Sequence, residues 1–141
     1  MNDTAPTRTA LLEAGRELFA RAGYEGTSIR AITARAGANL GAVTYHYGSK
    51  ERLYEAVLGS FTAPLGAALR AAAAAEKAPL DAIEAVIRAL YAYLAANPAW
   101  PSLMLHELAL SRPLPSPVRE LLQTVFEQVA ARIRAGQRDG S

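Results

Sequence analysis

An all-α fold is what this chain predicts, on three observations. Apolar residues recur at spacings of three and four from residue 8 to residue 133, no stretch alternates with the period of a strand, and glycine or proline stands where helices have to stop. The 141 residues are 51% apolar, enough for one sizeable core or a core with a small satellite.

The first helix is expected over residues 8–22. Leu11, Leu12, Gly15, Leu18, Phe19 and Ala22 form its stripe, with Leu18 and Phe19 as core anchors, and Gly23 ends it. In the next helix Ile29, Ile32 and Ala36 share one face, Arg30 and Arg35 point to solvent, and Thr27 is the expected N-cap. Gly37 follows, where a residue without Cβ turns sharply at little cost, and Ala38 and Asn39 complete the turn. A second short helix over residues 40–47 turns Val43 and Tyr47 inward and leaves Gly41, Ala42, Thr44, Tyr45 and His46 outside. Helix, glycine turn and a helix rich in small and hydrogen-bonding side chains is the layout of a helix-turn-helix reader of DNA.

A long helix should start at an N-cap Ser49 and run through Leu53, Val57, Phe61, Leu65 and Leu69, with Gly59 and Pro64 as kink points. The alanine-rich run 71–78 is expected to be helical because alanine is the strongest helix former. Pro79 and Asp81 open the next helix; Ile83, Val86, Ile87, Leu90, Tyr91 and Leu94 give its period, and Asn97-Pro98 stops it. Residues 101–110 carry Leu103, Met104, Leu105 and Leu108 nearly all round, the pattern of a buried helix. Three prolines make residues 112–117 a loop, with Ser116 as the N-cap of a last helix. That helix carries Val118, Leu122, Val125, Phe126, Val129 and Ile133 and is expected to fray at Gly136 and Gly140.

The net charge of +2 says little, but its placement says more. Between residues 26 and 50 stand Arg30, Arg35 and Lys50 and no carboxylate, a local positive face of the kind phosphate contact needs. The chain has no cysteine, which removes disulfides and thiolate metal sites. Its N-terminal residues lack a basic segment followed by an apolar run, and charges interrupt the longest apolar stretches, so a soluble, unexported, cytoplasmic protein without a membrane partner is expected. Neither a cofactor nor a metal site is expected: no glycine-rich phosphate loop is visible, and the two histidines lie 60 positions apart. With no catalytic constellation, an enzyme is not expected.

The ordered run Gly41, Val43, Tyr45, His46, Tyr47, Ser49, Lys50, Glu51 and Leu53 resembles the signature of the TetR family of bacterial transcriptional regulators. The likeness extends upstream through Ala14, Leu18, Phe19, Gly23, Tyr24, Thr27, Ile32 and the Ala36-Gly37 pair, about 60 residues in all. Leu40, Thr44 and Tyr47 depart from the commoner family residues; the first two fall on the expected DNA face and leave the operator sequence open. The resemblance implies a three-helix DNA-binding domain at 1–48, joined by the long helix to a helical ligand-binding and dimerisation domain at 49–141. It also favours a truncated chain that lacks the two last helices through which such regulators pair; if the sequence is complete, either pairing uses another surface or two half-sites cannot be gripped.

The function so implied is a repressor that binds a palindromic DNA operator as a homodimer and is released by a small-molecule inducer. Thr27, Arg30, Asn39, Leu40, Gly41, Ala42, Thr44, Tyr45, His46 and Lys50 are the expected DNA-binding residues. Candidates for a ligand pocket are Phe61, Leu65, Tyr91, Trp100, Met104, His106, Glu107 and Phe126, although aromatics and methionine at helical spacing more often fill a core. The alternative is a helix-turn-helix module that binds protein without sequence-specific DNA binding; it calls for large apolar side chains on the outward face of the reader helix, and only Leu40 is of that kind. An activator would make the same DNA contacts.

Overall fold

The computed structural model describes residues 4–140 and contains, among them, seven α-helices and no strand. They are α1 (Thr4–Ala22), α2 (Ile29–Ala36), α3 (Ala42–Tyr47), α4 (Lys50–Ala75), α5 (Pro79–Ala96), α6 (Ala99–Leu108) and α7 (Ser116–Asp139). Two compact units result, the first from residues up to Gly59 with Pro98–Leu114, the second from Ser60–Asn97 and the residues after Leu114. They divide the chain elsewhere than the functional boundary expected after residue 48. Leu53, Tyr54, Val57 and Leu58 of α4 are buried and belong to the first unit.

In the first unit, α1 packs against α2, α3 and α6. Leu11, Ala14 and Phe19 form its buried stripe, whereas Leu18 is only half-buried. A Cβ on Gly15 would stand 2.9 Å from Val57 Cγ2, so the glycine permits close approach of α1 and α4. Tyr54 is the hub of an aromatic group, with edge contacts to Phe19 at 5.0 Å and to Tyr24 at 4.9 Å between ring centroids. Trp100, Leu103 and Glu107 form the inward face of α6, and Ser102 Oγ donates to the Ala20 carbonyl at 2.7 Å. The expectation that this helix is buried all round is corrected, because Leu105 and Leu108 are exposed.

Glu107 is a charged group with no exposed side-chain surface. Tyr54 Oη donates to its Oε1 at 2.5 Å, and Arg112 reaches both carboxylate oxygens at 3.1 Å. Ser111, at φ 50°, turns the chain immediately before Arg112. This neutralisation is what a buried carboxylate requires.

In the second unit α5 packs against α7. Phe61, Leu65, Leu69 and Ala73 of α4 and Ala82 and Val86 of α5 are buried. Tyr93 Oη donates to the Phe61 carbonyl at 2.7 Å and Arg132 Nη2 to the Ala73 carbonyl at 3.0 Å.

Several helix ends differ from expectation. The first helix begins earlier, at Thr4, and the sixth earlier, at Ala99. Ser116 is the first residue of α7, and Pro115 holds the cap position. Gly136 is buried within α7, which ends in the left-handed Gly140 at φ 75°. The charges in α4 do not break it short of bilayer length, either: by length and composition this helix passes as a membrane span. Its buried residues nevertheless recur at three and four, between exposed Arg52 and Arg70, as in a core helix.

Burial, followed by the hydrogen bond to Glu107, pushes the Tyr54 hydroxyl well above its ordinary value of 10.0. A raised pKa keeps the phenol neutral in the folded state, so its contribution to stability is complete below pH 10.0 and is lost as pH rises beyond that. Followed by tyrosinate absorbance, Tyr24, Tyr47 and Tyr54 should all titrate above the ordinary 10.0, with Tyr54 the last of them. In Tyr54→Phe that late step should vanish.

Candidate nucleic-acid interface

α2 is held at both ends by local chemistry. Ser28, extended at ψ 155°, accepts from the Ala31 amide at 3.0 Å and is the N-cap, displacing Thr27 from the expected role. Gly37 at φ 68° closes the helix, and its amide reaches Ala34 and Thr33 carbonyls. Thr27 itself is buried, and its hydroxyl donates within reach of the Gly23 carbonyl at 2.8 Å and that of Leu18 at 3.1 Å. The side chain therefore fastens the α1–α2 corner and is not presented to a phosphate.

Six residues are too few for α3 to stand alone, and tertiary contacts hold it. Val43 is fully buried beneath it. At its far end the Arg8 guanidinium donates to the His46 carbonyl and lies 4.3 Å from the Tyr47 ring centroid, while Tyr47 Oη donates to the Arg8 carbonyl at 2.8 Å. Burial raises the Tyr47 pKa, with Arg8 opposing. Arg8 was not among the sequence candidates, because a partner 38 positions away leaves no local periodic signal.

The outward side of this motif is a cleft of about 630 Å³ lined by Asn39, Gly41, Ala42, Tyr45 and His46, joined by Thr7, Gly37 and Ala38. Half of the ten DNA candidates meet there. Thr7 is an addition from α1, with no motif of its own. Tyr45 is 75% exposed and Leu40 51% exposed; Thr44, Asn39 and Gly41 are exposed, His46 is half-buried, and Ala42 is turned inward. Leu40 and Gly41 belong to the turn, so α3 starts two residues later than expected. The Tyr45 and His46 rings meet edge-on at 4.8 Å.

The cations of this region differ in their surroundings. Arg30 is exposed. Arg35 is bound to Glu17 Oε1 by two nitrogens at 2.8 and 3.0 Å, and Arg21 meets the other oxygen at 3.0 Å. The hydrogen bond from Arg35 is the main reason the Glu17 pKa is lowered. Lys50 stands at the first turn of α4, where Ser49 Oγ accepts from the Arg52 amide at 3.1 Å. Its Nζ lies 4.2 Å from the Tyr24 ring centroid.

The ligand-pocket candidates divide between the units. Phe61, Leu65, Tyr91 and Phe126 belong to the second, where the first two are buried and the last two are 70% and 73% exposed. Trp100, Met104, His106 and Glu107 belong to the first. The Glu107 carboxylate is occupied by Tyr54 and Arg112, which corrects its expected role as a polar handle for ligand.

A short exposed helix after a glycine turn, carried on two supporting helices, defines a helix-turn-helix domain. Residues 11–57 match the family described as bacterial regulatory proteins, tetR family. The repressor AcnR of Corynebacterium efficiens is 39% identical over 51 residues, 36% of this chain and 27% of that protein. The repressor Rv3405c of Mycobacterium tuberculosis is 41% identical over 75 residues, 53% of this chain and 37% of that protein. The matched stretch thus spans about a third of these relatives. Over 92% of this chain and 71% of the other, the TetR family regulator PfmR of Thermus thermophilus superposes with a TM-score of 0.75 at 27% identity. HlyIIR, a hemolysin II transcriptional regulator, shares the fold with a TM-score of 0.74 at 22% identity, over 98% of this chain and 76% of that one. Over residues 11–57 the chain is thus similar to the TetR family, and its fold is that of TetR family regulators.

Replacing Thr27 by valine should cost roughly 1–3 kcal/mol in urea denaturation, since the Gly23 and Leu18 carbonyls lose a buried donor. The salt dependence of DNA binding should not change, which separates a fastening role from a phosphate contact.

Proposed function

We propose that this chain is a DNA-binding transcriptional regulator, acting as a homodimeric repressor of a palindromic operator in the cytoplasm and released by a small-molecule inducer. The observation that carries the reading is the outward face of α3, where Tyr45 is 75% exposed beside Thr44 and above the cleft that Asn39 and Gly41 line. A phenol, a hydroxyl and a close backbone are suited to base edges and phosphates. The repressor names carried by AcnR and Rv3405c support the same reading.

Two copies would set their α3 helices in successive major grooves about 34 Å apart. Thr44, Tyr45 and the Gly41 backbone meet base edges, with Asn39, Leu40 and His46 at the margins, while Arg30 and Lys50 meet phosphates. An inducer bound against the helical part acts through α4, a single helix from Lys50 to Ala75. Its leverage equals its differential affinity for the DNA-competent and incompetent conformers.

Selection of bound sequences from random duplex DNA at two salt concentrations tests the reading. A salt-sensitive palindrome is the expected product. Recovery of no motif would overturn it in favour of a protein-binding module. On the selected site, replacing Thr44 should change preference among operators by roughly 1–3 kcal/mol. Equal losses on all sites would make it a backbone contact.

A further inference from the structure

Lys50 does not stand in open solvent. Its ammonium lies 4.2 Å from the centroid of the Tyr24 ring, and the Arg112 guanidinium lies 5.2 Å from the same centroid. Arg112 is in turn fixed by two hydrogen bonds to the buried Glu107 carboxylate. Tyr54 meets the Tyr24 ring edge-on at 4.9 Å, and Phe19 stacks on it at 6.0 Å with an interplanar angle of 12°. The ring plane is thus set by α1, α4 and the segment after α6, all within the first unit.

A lysine ammonium is a compact charge on a flexible stem, and left to itself it samples many rotamers. An aromatic face attracts it through the ring quadrupole and leaves its N–H donors available to other partners. Such a seat narrows the search without neutralising the charge, as a carboxylate partner would.

We propose that Tyr24 is a positioning residue for DNA binding: its ring holds the Lys50 ammonium at the start of α4 ready for a backbone phosphate, and the Glu107–Arg112 pair fixes the ring. The inference rests on the DNA-binding reading above and adds a control point to it. Whatever displaces the C-terminal end of α6 disturbs the ring that seats Lys50, so the phosphate contact responds without any change in α3.

The test is a double-mutant cycle on the full 141-residue chain, with a mixed-sequence DNA duplex as probe and affinity followed from about 50 to 200 mM salt. Lys50→Ala should remove about one phosphate's worth of salt dependence, making the loss of affinity over that range roughly three- to fourfold smaller. Tyr24→Leu should reproduce that change, and combining the two should add nothing. Tyr24→Phe, which keeps the ring, should behave as the unsubstituted chain does.

A normal salt slope in Tyr24→Leu, or a loss that multiplies with that of Lys50→Ala, overturns the positioning role alone. An unchanged slope in Lys50→Ala itself overturns the phosphate contact, and the positioning role falls with it. If Tyr24→Leu fails to fold by circular dichroism, the unsubstituted chain supplies the decision. Upfield-shifted Lys50 Hε resonances, from the ring current of Tyr24, support the seat, and unperturbed shifts overturn it.

Discussion

A carboxylate without exposed surface constrains everything around it. Glu107 is withdrawn from water, and a buried charge of this kind is tolerated only where a cation and hydrogen-bond donors compensate it. The compensation comes from two places, Tyr54 on α4 and Arg112 in the segment after α6. Satisfying Glu107 therefore ties α6 to the start of α4, and it adds to the packing of α6 on α1 that groups Pro98–Leu114 with the N-terminal helices. It also brings Arg112 over the rings of Tyr24 and Tyr54, at 5.2 and 5.8 Å.

The reader helix obeys a complementary constraint. Six residues give too few internal hydrogen bonds to hold a helix, so α3 depends on Val43 beneath it and on Arg8 and Tyr47 at its end. Because those inward and terminal contacts hold it, Thr44 and Tyr45 have no packing role to fill. Their exposure follows from how the helix is anchored.

How far the sequence is legible depends on the range of each interaction. Gly37 and Gly23 were readable because a positive φ, 68° and 79°, is a local demand that glycine meets at little cost. The helices were readable because burial imposes the period of three and four on α1, α4 and α5. Neighbouring hydroxyls were not resolved: Thr27 and Ser28 both suit an N-cap, and what decides between them is that Thr27 meets the carbonyls of Leu18 in α1 and of Gly23 just after it. Glu107 was read as a polar handle on an apolar helix, and its partner Tyr54 lies 53 positions away. Arg8 and Thr7 escaped for the same reason, since their work at the reader involves residues some forty positions on.

Charge placement sets what one reader can do alone. Of the three cations between residues 26 and 50, Arg35 is bound to Glu17, which leaves Arg30 and Lys50 as the side chains best placed for phosphates. Non-specific affinity grows with the number of phosphates neutralised, and it falls steeply as salt rises. On the proposed reading, a reader with so few cations would hold DNA weakly by itself and would be a poor scavenger of random sequence. Two such readers on one duplex double the phosphate contacts, and they do so with full benefit only where both α3 helices find matching bases. Scarcity of charge at the reader thus favours discrimination, and it gives a physical reason for the paired, palindromic mode of binding proposed for this chain.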